Sequence, residues 1–296
     1  MVKKVALMSE IQVGDIVARK SYQNDINFRV EEIQDRGGKK WAMLRGLFVR
    51  LYADAPVDDL VKKKPAEVSV LRREFAKKRS AFLRQMLEHQ SRTRQRTLMR
   101  AKNEGVEVDF FEFPGWVLHF DGDQEYREVC LRTYLQLNVP SQVFYVPEKE
   151  QPTLVCKYLK EQRPDILVLT GHDGIYKGAR DYRDLRSYRH SEYFLEAIKR
   201  ARQYEPDRDA LVIIAGGCQS YYEALIEAGA NFASSPDRVM IHVLDPVFIA
   251  EKISYTSIYE KISLSGVLEY TVTGPRGMGG IQTKGKFRLG LPPFRY

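Results

Sequence analysis

"ILVLTGHDG", residues 166–174, and "LVIIAGGCQS", residues 211–220, share one pattern: an apolar run, a glycine turn, then a reactive side chain. An apolar run without polar alternation is how a strand buried on both faces reads, and such strands belong to parallel sheets covered by helices. In those sheets the functional groups gather at the carboxyl ends of the strands. His172 and Cys218, 46 positions apart, are therefore expected at equivalent strand ends of one α/β sheet.

The same alternation extends in both directions. "GWVLHF" leads into "DGDQEYREVCLRTYLQLN", "SQVFYV" into "PEKEQPTLVCKYLKEQ", "DILVLT" through a long loop into "SEYFLEAIKRARQY", "ALVIIAG" into "GCQSYYEALIEAG", and "RVMIHVL" into "DPVFIAEKIS". This predicts five strand–helix pairs, with "RVMIHVL" as the fifth strand. Residues 9–61 read differently. "VGDIVARKSY", "INFRVEEIQ" and "WAMLRGLFVRLYA" are short β-rich runs, the last two joined by the turn "DRGGKK", and together they predict a small SH3-like barrel. From Pro65, the residues Val68, Leu71, Phe75, Phe82, Leu83, Met86 and Leu87 recur at helical spacing. The expected organisation is a barrel over 1–64, a basic amphipathic helical linker over 65–107, and an α/β domain with a C-terminal extension over 108–296. The glycine-rich tail "TGPRGMGGIQTKGKFRLGLPPFRY" lacks the Lys-Ser/Thr ending of a phosphate-binding loop and predicts strand and loop.

Charge narrows the partners. The net charge is +8, yet Lys62–Lys102 alone holds 14 Lys and Arg against three Glu, a local excess of 11. The remainder is slightly acidic, and the basic run reads as a solvated helix face, so nucleic acid is not expected as a partner. No apolar run reaches the length of about 20 residues that a membrane span needs, and "MVKKVALMSE" is too short for a signal peptide, which points to a cytoplasmic protein. The three cysteines, Cys130, Cys156 and Cys218, form neither a disulfide framework nor a C-x-x-C pair. No metal cluster and no cofactor motif is visible.

Cys218 and His172 suit nucleophilic catalysis. A helix starting near Cys218 and an adjacent imidazolium would favour the thiolate, and His172 can hand a proton to a leaving amine. The backbone N–H of Cys218, with that of Asp173 or Gly174, would then hold an oxyanion. Each residue also has an ordinary alternative, Cys218 as a small buried apolar group and His172 as a loop histidine satisfied by backbone. Cys130 and Cys156 fall within amphipathic helices and are expected to pack the core. His119 and His242 fall within the first and fifth strands, and His190 just precedes a helix. Two other classes stay open. A glutamine-amidotransferase-like acyl-transfer enzyme also uses a cysteine at a strand-to-helix turn, though its histidine usually follows the cysteine. A noncatalytic nucleic-acid or coat scaffold would bind in a salt-dependent way without needing Cys218.

The order His then Cys about 50 residues later resembles the caspase-like cysteine peptidases, although Asp173 follows the histidine and Gly217 precedes the cysteine where those enzymes tend to carry Gly and Ala. A resemblance across nearly the whole chain is carried by "VGDIVARKSYQNDINFRV", "HFDGD", "VPEKEQP", "DILVLTGHDG", "YFLEAIKRAR", "AGGCQS", "EAGANFASSP", "HVLDPVFIAEKI" and "GGIQTKGKFR". These stretches resemble the YabG family of sporulation-specific proteases of endospore-forming bacteria. The resemblance implies an endopeptidase that acts on spore coat and related proteins and cuts on the carboxyl side of basic residues. It places the protein in the mother-cell cytoplasm, with association to the spore coat. A basic specificity pocket needs a buried carboxylate. Asp121 and Asp123, in the loop after the first strand, and Asp245, after the fifth, are the candidates, with Asp123 also suited to capping the next helix. Given that substrate preference, arginines of the basic helix and tail are candidates for self-cleavage.

Overall fold

The computed structural model describes residues 10–103 and 111–290; the first nine residues, the end of the expected linker (104–107) and the end of the tail (291–296) lie outside them. The chain divides into two compact units. One holds the residues up to Phe48 together with Tyr52–Phe75, and the other holds Val49–Leu51 together with the residues from Ala76 onward.

The first unit is an antiparallel sheet of β1 (Ile16–Arg19), β2 (Asn27–Arg36), β3 (Lys39–Gly46), β4 (Tyr52–Pro56) and β5 (Leu60–Lys62), in the order β4-β3-β2-β1-β5. Gly37 and Gly38, at φ 66° and 81°, make the two-residue turn between β2 and β3, a geometry open to glycine because it has no Cβ. Val17, Phe28, Val30, Ala42, Leu44, Ala55 and Leu60 form its core. The expected strand over 41–53 is not continuous. β3 stops at Gly46 and β4 begins at Tyr52, because Val49 and Leu51 take backbone partners from the second unit's own segments, His242 and Asp173.

Helix α1 (Pro65–Asn103) opens on a proline, which fits a first turn where the missing N–H has no partner to lose. Leu83 and Met86 of its apolar stripe are buried, whereas Leu87 is exposed.

The second unit contains a six-stranded sheet and a two-stranded ribbon. Its further elements are β6 (Phe111–Phe113), β7 (Val117–Asp121), α2 (Gln124–Gln136), β8 (Ser141–Tyr145), α3 (Gln151–Gln162), β9 (Ile166–Thr170), α4 (Ser191–Tyr204), β10 (Val212–Gly216), α5 (Tyr222–Ala228), β11 (Phe232–Ser234), α6 (Asp245–Tyr255), α7 (Leu264–Leu268), β12 (Met278–Gly280) and β13 (Arg288–Gly290). The sheet order is β12-β11-β10-β9-β7-β8, with β8 to β11 and β7 parallel and β12 antiparallel at the edge; β6 and β13 pair separately. Every residue of β7, β9 and β10 is buried, which explains their unbroken apolar reading. Period-two alternation divides them between faces. Leu118, Phe120, Leu167, Leu169 and Ile213 join Val155, Leu159, Phe194, Ile198 and Leu225 in one core, leaving His119 and Asp121 on the face that carries α2.

The fifth strand is not where the sequence pattern puts it. β11 comes from the earlier "NFAS", paired to β10 and closed off by β12, so the place beside β10 is taken and residues 238–244 form no strand. They run as an irregular segment past the strand ends, and Asp245 consequently starts α6 without ending a strand.

Candidate active site

Register sets three strand ends level. Asp121 of β7 pairs with Thr170 of β9, which pairs with Gly216 of β10. Asp123, His172 and Cys218 each stand two residues beyond that line. The chain order of the strands reverses between β7 and β9, the position where open α/β sheets form their crevice. Glycines let the loops close up there. A Cβ on Gly217 would lie 2.8 Å from the Gly171 carbonyl oxygen and 2.9 Å from the Asp173 nitrogen, and one on Gly122 or Gly171 would lie 2.3 Å from the Glu148 carboxylate. That carboxylate is buried and accepts the His172 N–H at 2.7 Å.

The backbone N–H groups of Cys218 and Asp173 both donate to one acceptor, the carbonyl oxygen of Arg50, each at 3.0 Å. Two donors converging on one oxygen is the geometry of an oxyanion hole. The Gly174 N–H points elsewhere, donating to Asp173 Oδ1 at 2.8 Å. Asp173 itself is buried and also accepts from the His190 N–H, Ser191 Oγ and Ser220 Oγ at 2.8, 2.5 and 2.8 Å, so it ties the β9 loop to the starts of α4 and α5. This network holds its own N–H in place.

The helix expected to begin at Cys218 begins at Tyr222 and has seven residues. Two of the three intervening N–H groups are occupied: Gln219 donates to Ser235 Oγ and Tyr221 to Ser191 Oγ, both at 2.9 Å. The thiol therefore does not sit at the first turn of α5. Burial pushes Cys218 up to about 12, although the Ile241 backbone N–H, 3.2 Å from Sγ, and the Arg50 charge oppose the shift. His172 is fully buried, stacks on Tyr126 with ring centroids 5.1 Å apart, and brings Nε2 to 3.7 Å from Asp123 Oδ2. His190 Nδ1 meets the His172 carbonyl oxygen at 2.6 Å.

The three candidate carboxylates have different surroundings. Asp121 grips the fully buried Arg50 guanidinium through two parallel hydrogen bonds, Nη1 to Oδ1 at 3.0 Å and Nη2 to Oδ2 at 2.8 Å. Although burial opposes that charge, the Asp121 carboxylate more than compensates and holds the guanidinium above its ordinary pKa. Nη2 also donates to the Val243 carbonyl oxygen at 3.1 Å, and the guanidinium lies 5.4 Å from the Tyr126 ring centroid. Asp123 caps α2, accepting the Glu125 and Tyr126 N–H groups at 2.8 and 3.0 Å. Asp245 accepts the His242 and Val272 N–H groups at 3.1 and 2.7 Å and the Thr273 hydroxyl, which anchors the 270s segment.

The model of the YabG peptidase U57 family matches residues 12–292. The sporulation-specific protease YabG of Bacillus subtilis (strain 168) is 42% identical over 285 residues, covering 96% of this chain and 98% of that relative. This chain belongs to the YabG peptidase family. No solved structure matches it.

For this YabG-family chain the largest omission in the sequence reading is Arg50, read as one more residue of a barrel strand. The signal was present: a lone arginine within "LFVRLYA" breaks an apolar run, and a buried arginine requires a buried carboxylate. Cys130, expected only to pack the core, lines the same pocket with Sγ 3.6 Å from Arg50 Nη2. His119, Asp121 and Cys130 lie close enough together to hold a metal ion by ligand type. Here Asp121 is engaged by the guanidinium, and burial followed by the Arg50 charge keeps His119 neutral, well below its usual pKa. Cys156 is half-buried in α3 with Sγ 3.6 Å from the Arg200 carbonyl oxygen, outside this arrangement.

Proposed function

We propose that this chain is a sporulation-associated cysteine endopeptidase that cleaves protein substrates, spore coat proteins among them, after arginine or lysine. Cys218 is the nucleophile and His172 the proton carrier. The N–H groups of Cys218 and Asp173 hold the developing oxyanion, and Asp121 binds the basic side chain before the scissile bond. One observation carries this reading. A single residue, Arg50, has its carbonyl oxygen between the Cys218 and Asp173 donors and its side chain paired bidentately with Asp121. A basic substrate residue would need both contacts at once.

The family match supports the peptidase class, and the relative's name supports the sporulation setting. A largely parallel sheet with an antiparallel edge and site residues beyond adjacent strand ends supports a caspase-like placement. In the first unit a 3-10 turn at Val57–Asp59 lets β4 pair with β3 and β5 with β1 on the opposite side of the sheet, which supports an SH3-like barrel.

His172 receives the thiol proton, and the Ile241 N–H together with whichever basic side chain fills the Asp121 pocket, Arg50 here and the substrate's own residue in turnover, favours the thiolate against burial. Asp123 Oδ2 and the Tyr126 ring orient the imidazole. The test is cleavage of a basic, coat-like protein by wild type, Cys218→Ala and His172→Ala, each confirmed as folded by circular dichroism. Both variants are expected to lose at least about 1000-fold in rate. Undiminished cutting by folded Cys218→Ala would remove the cysteine mechanism.

A further inference from the structure

We propose that the enzyme's first substrate is its own Arg50–Leu51 bond: residues 49–51 occupy the site as a substrate would, and cutting that bond in cis opens the site to other proteins. This rests on the peptidase reading above and identifies what the site holds before it acts. Contacts to Arg50 and to the residue on either side of it place the segment. The Arg50 carbonyl oxygen takes the Cys218 and Asp173 donors, and the side chain fills the Asp121 pocket. On the amino side Val49 forms an antiparallel bridge with His242 and accepts the Tyr126 hydroxyl at 3.1 Å. On the carboxyl side Leu51 forms a parallel bridge with Asp173. Backbone pairing on either side of an anchored side chain is the way proteins bind extended peptides. The segment is also bent, since the Leu51 N–H donates to the Val49 carbonyl oxygen at 2.8 Å in a three-residue turn centred on Arg50.

An ordinary structural arginine does not account for this arrangement. A buried ion pair needs its charge and hydrogen bonds satisfied, which Asp121 and Val243 provide. It does not need the residue's own carbonyl oxygen held by the two N–H groups flanking the candidate nucleophile and base. It also does not need the chain to leave a strand for five residues, from Leu47 to Leu51, within an otherwise regular ladder.

The step balances with water as the only co-reactant. Cys218 Sγ bonds to the Arg50 carbonyl carbon while its proton passes to His172. The bond from that carbon to the Leu51 nitrogen breaks, and His172 delivers the proton to the nitrogen. Water then adds across the thioester, giving a free Arg50 carboxylate, a proton and the regenerated thiol.

The experiment follows purified full-length chain by intact mass and by sequencing of new amino termini, alongside cleavage of an arginyl peptide reporter. Wild type is expected to acquire an amino terminus at Leu51 at a rate independent of protein concentration, with reporter cleavage rising as the cut proceeds. Cys218→Ser stays whole. Arg50→Lys, which exchanges a two-pronged contact for a point charge, slows the cut by roughly 10- to 100-fold. Arg50→Ala removes the cut and the lag, so that reporter cleavage starts at its full rate. If wild type cleaves the reporter at full rate while the Arg50–Leu51 bond stays intact, this proposal fails and the peptidase reading stands. If neither reporter nor bond is cut under any condition, the peptidase reading itself fails. A cut whose rate rises with protein concentration overturns cleavage in cis.

Discussion

Asp121 separates from its neighbours by what each carboxylate touches. Asp123 and Asp245 accept backbone N–H groups, whereas Asp121, besides accepting the Asp123 N–H at 3.0 Å, presents both oxygens to a guanidinium. Asp121→Asn keeps the shape and removes the charge. Its expected effect on the Arg50→Ala background is a loss of roughly 100-fold or more in kcat/KM for arginyl peptides, with little change for peptides carrying a neutral residue there. Unchanged preference for arginine in a peptide panel would remove Asp121 from the pocket. The placement of His172 and Cys218 just beyond buried apolar strands, and of Asp121 at the end of one, was legible because strand ends of parallel sheets are where chemistry collects. Arg50 was not legible as an occupant. Its partners are 71 and 193 positions away, and nothing local distinguishes it from a surface arginine on a strand.

At the scale of elements, the loops beyond β9 and β10 approach so closely that Gly217 has no room for a side chain. Gly217→Ala would push a methyl group against the Gly171 carbonyl oxygen and the Asp173 nitrogen. The expected cost is about 1–3 kcal/mol in denaturant unfolding, with catalysis falling further because the Asp173 donor shifts. Helix α6 supplies a pH test. Burial pushes the Glu251 carboxyl up to about 8 from its ordinary 4.5, with Gln90 and Lys252 opposing. The folded chain thus keeps a proton that the unfolded chain releases, so this group's contribution to stability falls as pH rises from 4.5 to 8. Glu251→Gln removes that dependence. Its melting temperature is expected to exceed wild type by roughly 4 °C or more at pH 8.5 and to match it near pH 4.5, as scanning calorimetry would read. Strand β11 marks the limit of pattern reading. "RVMIHVL" has the stronger strand composition, but the position beside β10 goes to "NFAS", whose connection through α5 is short enough to return it to the sheet. Only tertiary competition decides between them.

For the whole molecule, a cut after Arg50 falls between β3 and β4, and the β3–β4 and β1–β5 ladders of the first unit span it. The two pieces are therefore expected to co-elute in size-exclusion chromatography under native conditions and to separate in denaturant. Separation in native buffer would mean those ladders do not hold the first unit together once it is nicked. Among the described residues no helix is long and apolar enough to cross a membrane, and the basic helix carries its charge on an exposed face, as its composition indicated. The central claim is that Cys218 attacks the carbonyl beside a basic residue held by Asp121. It is tested most directly by treating Arg50→Ala with an arginyl ketone that alkylates thiols and locating the label by peptide mass spectrometry. The expected result is one label, on Cys218, with loss of activity in proportion and with protection by an arginyl peptide. Complete inactivation with the label on another residue, or full activity after Cys218 has been alkylated, would contradict it.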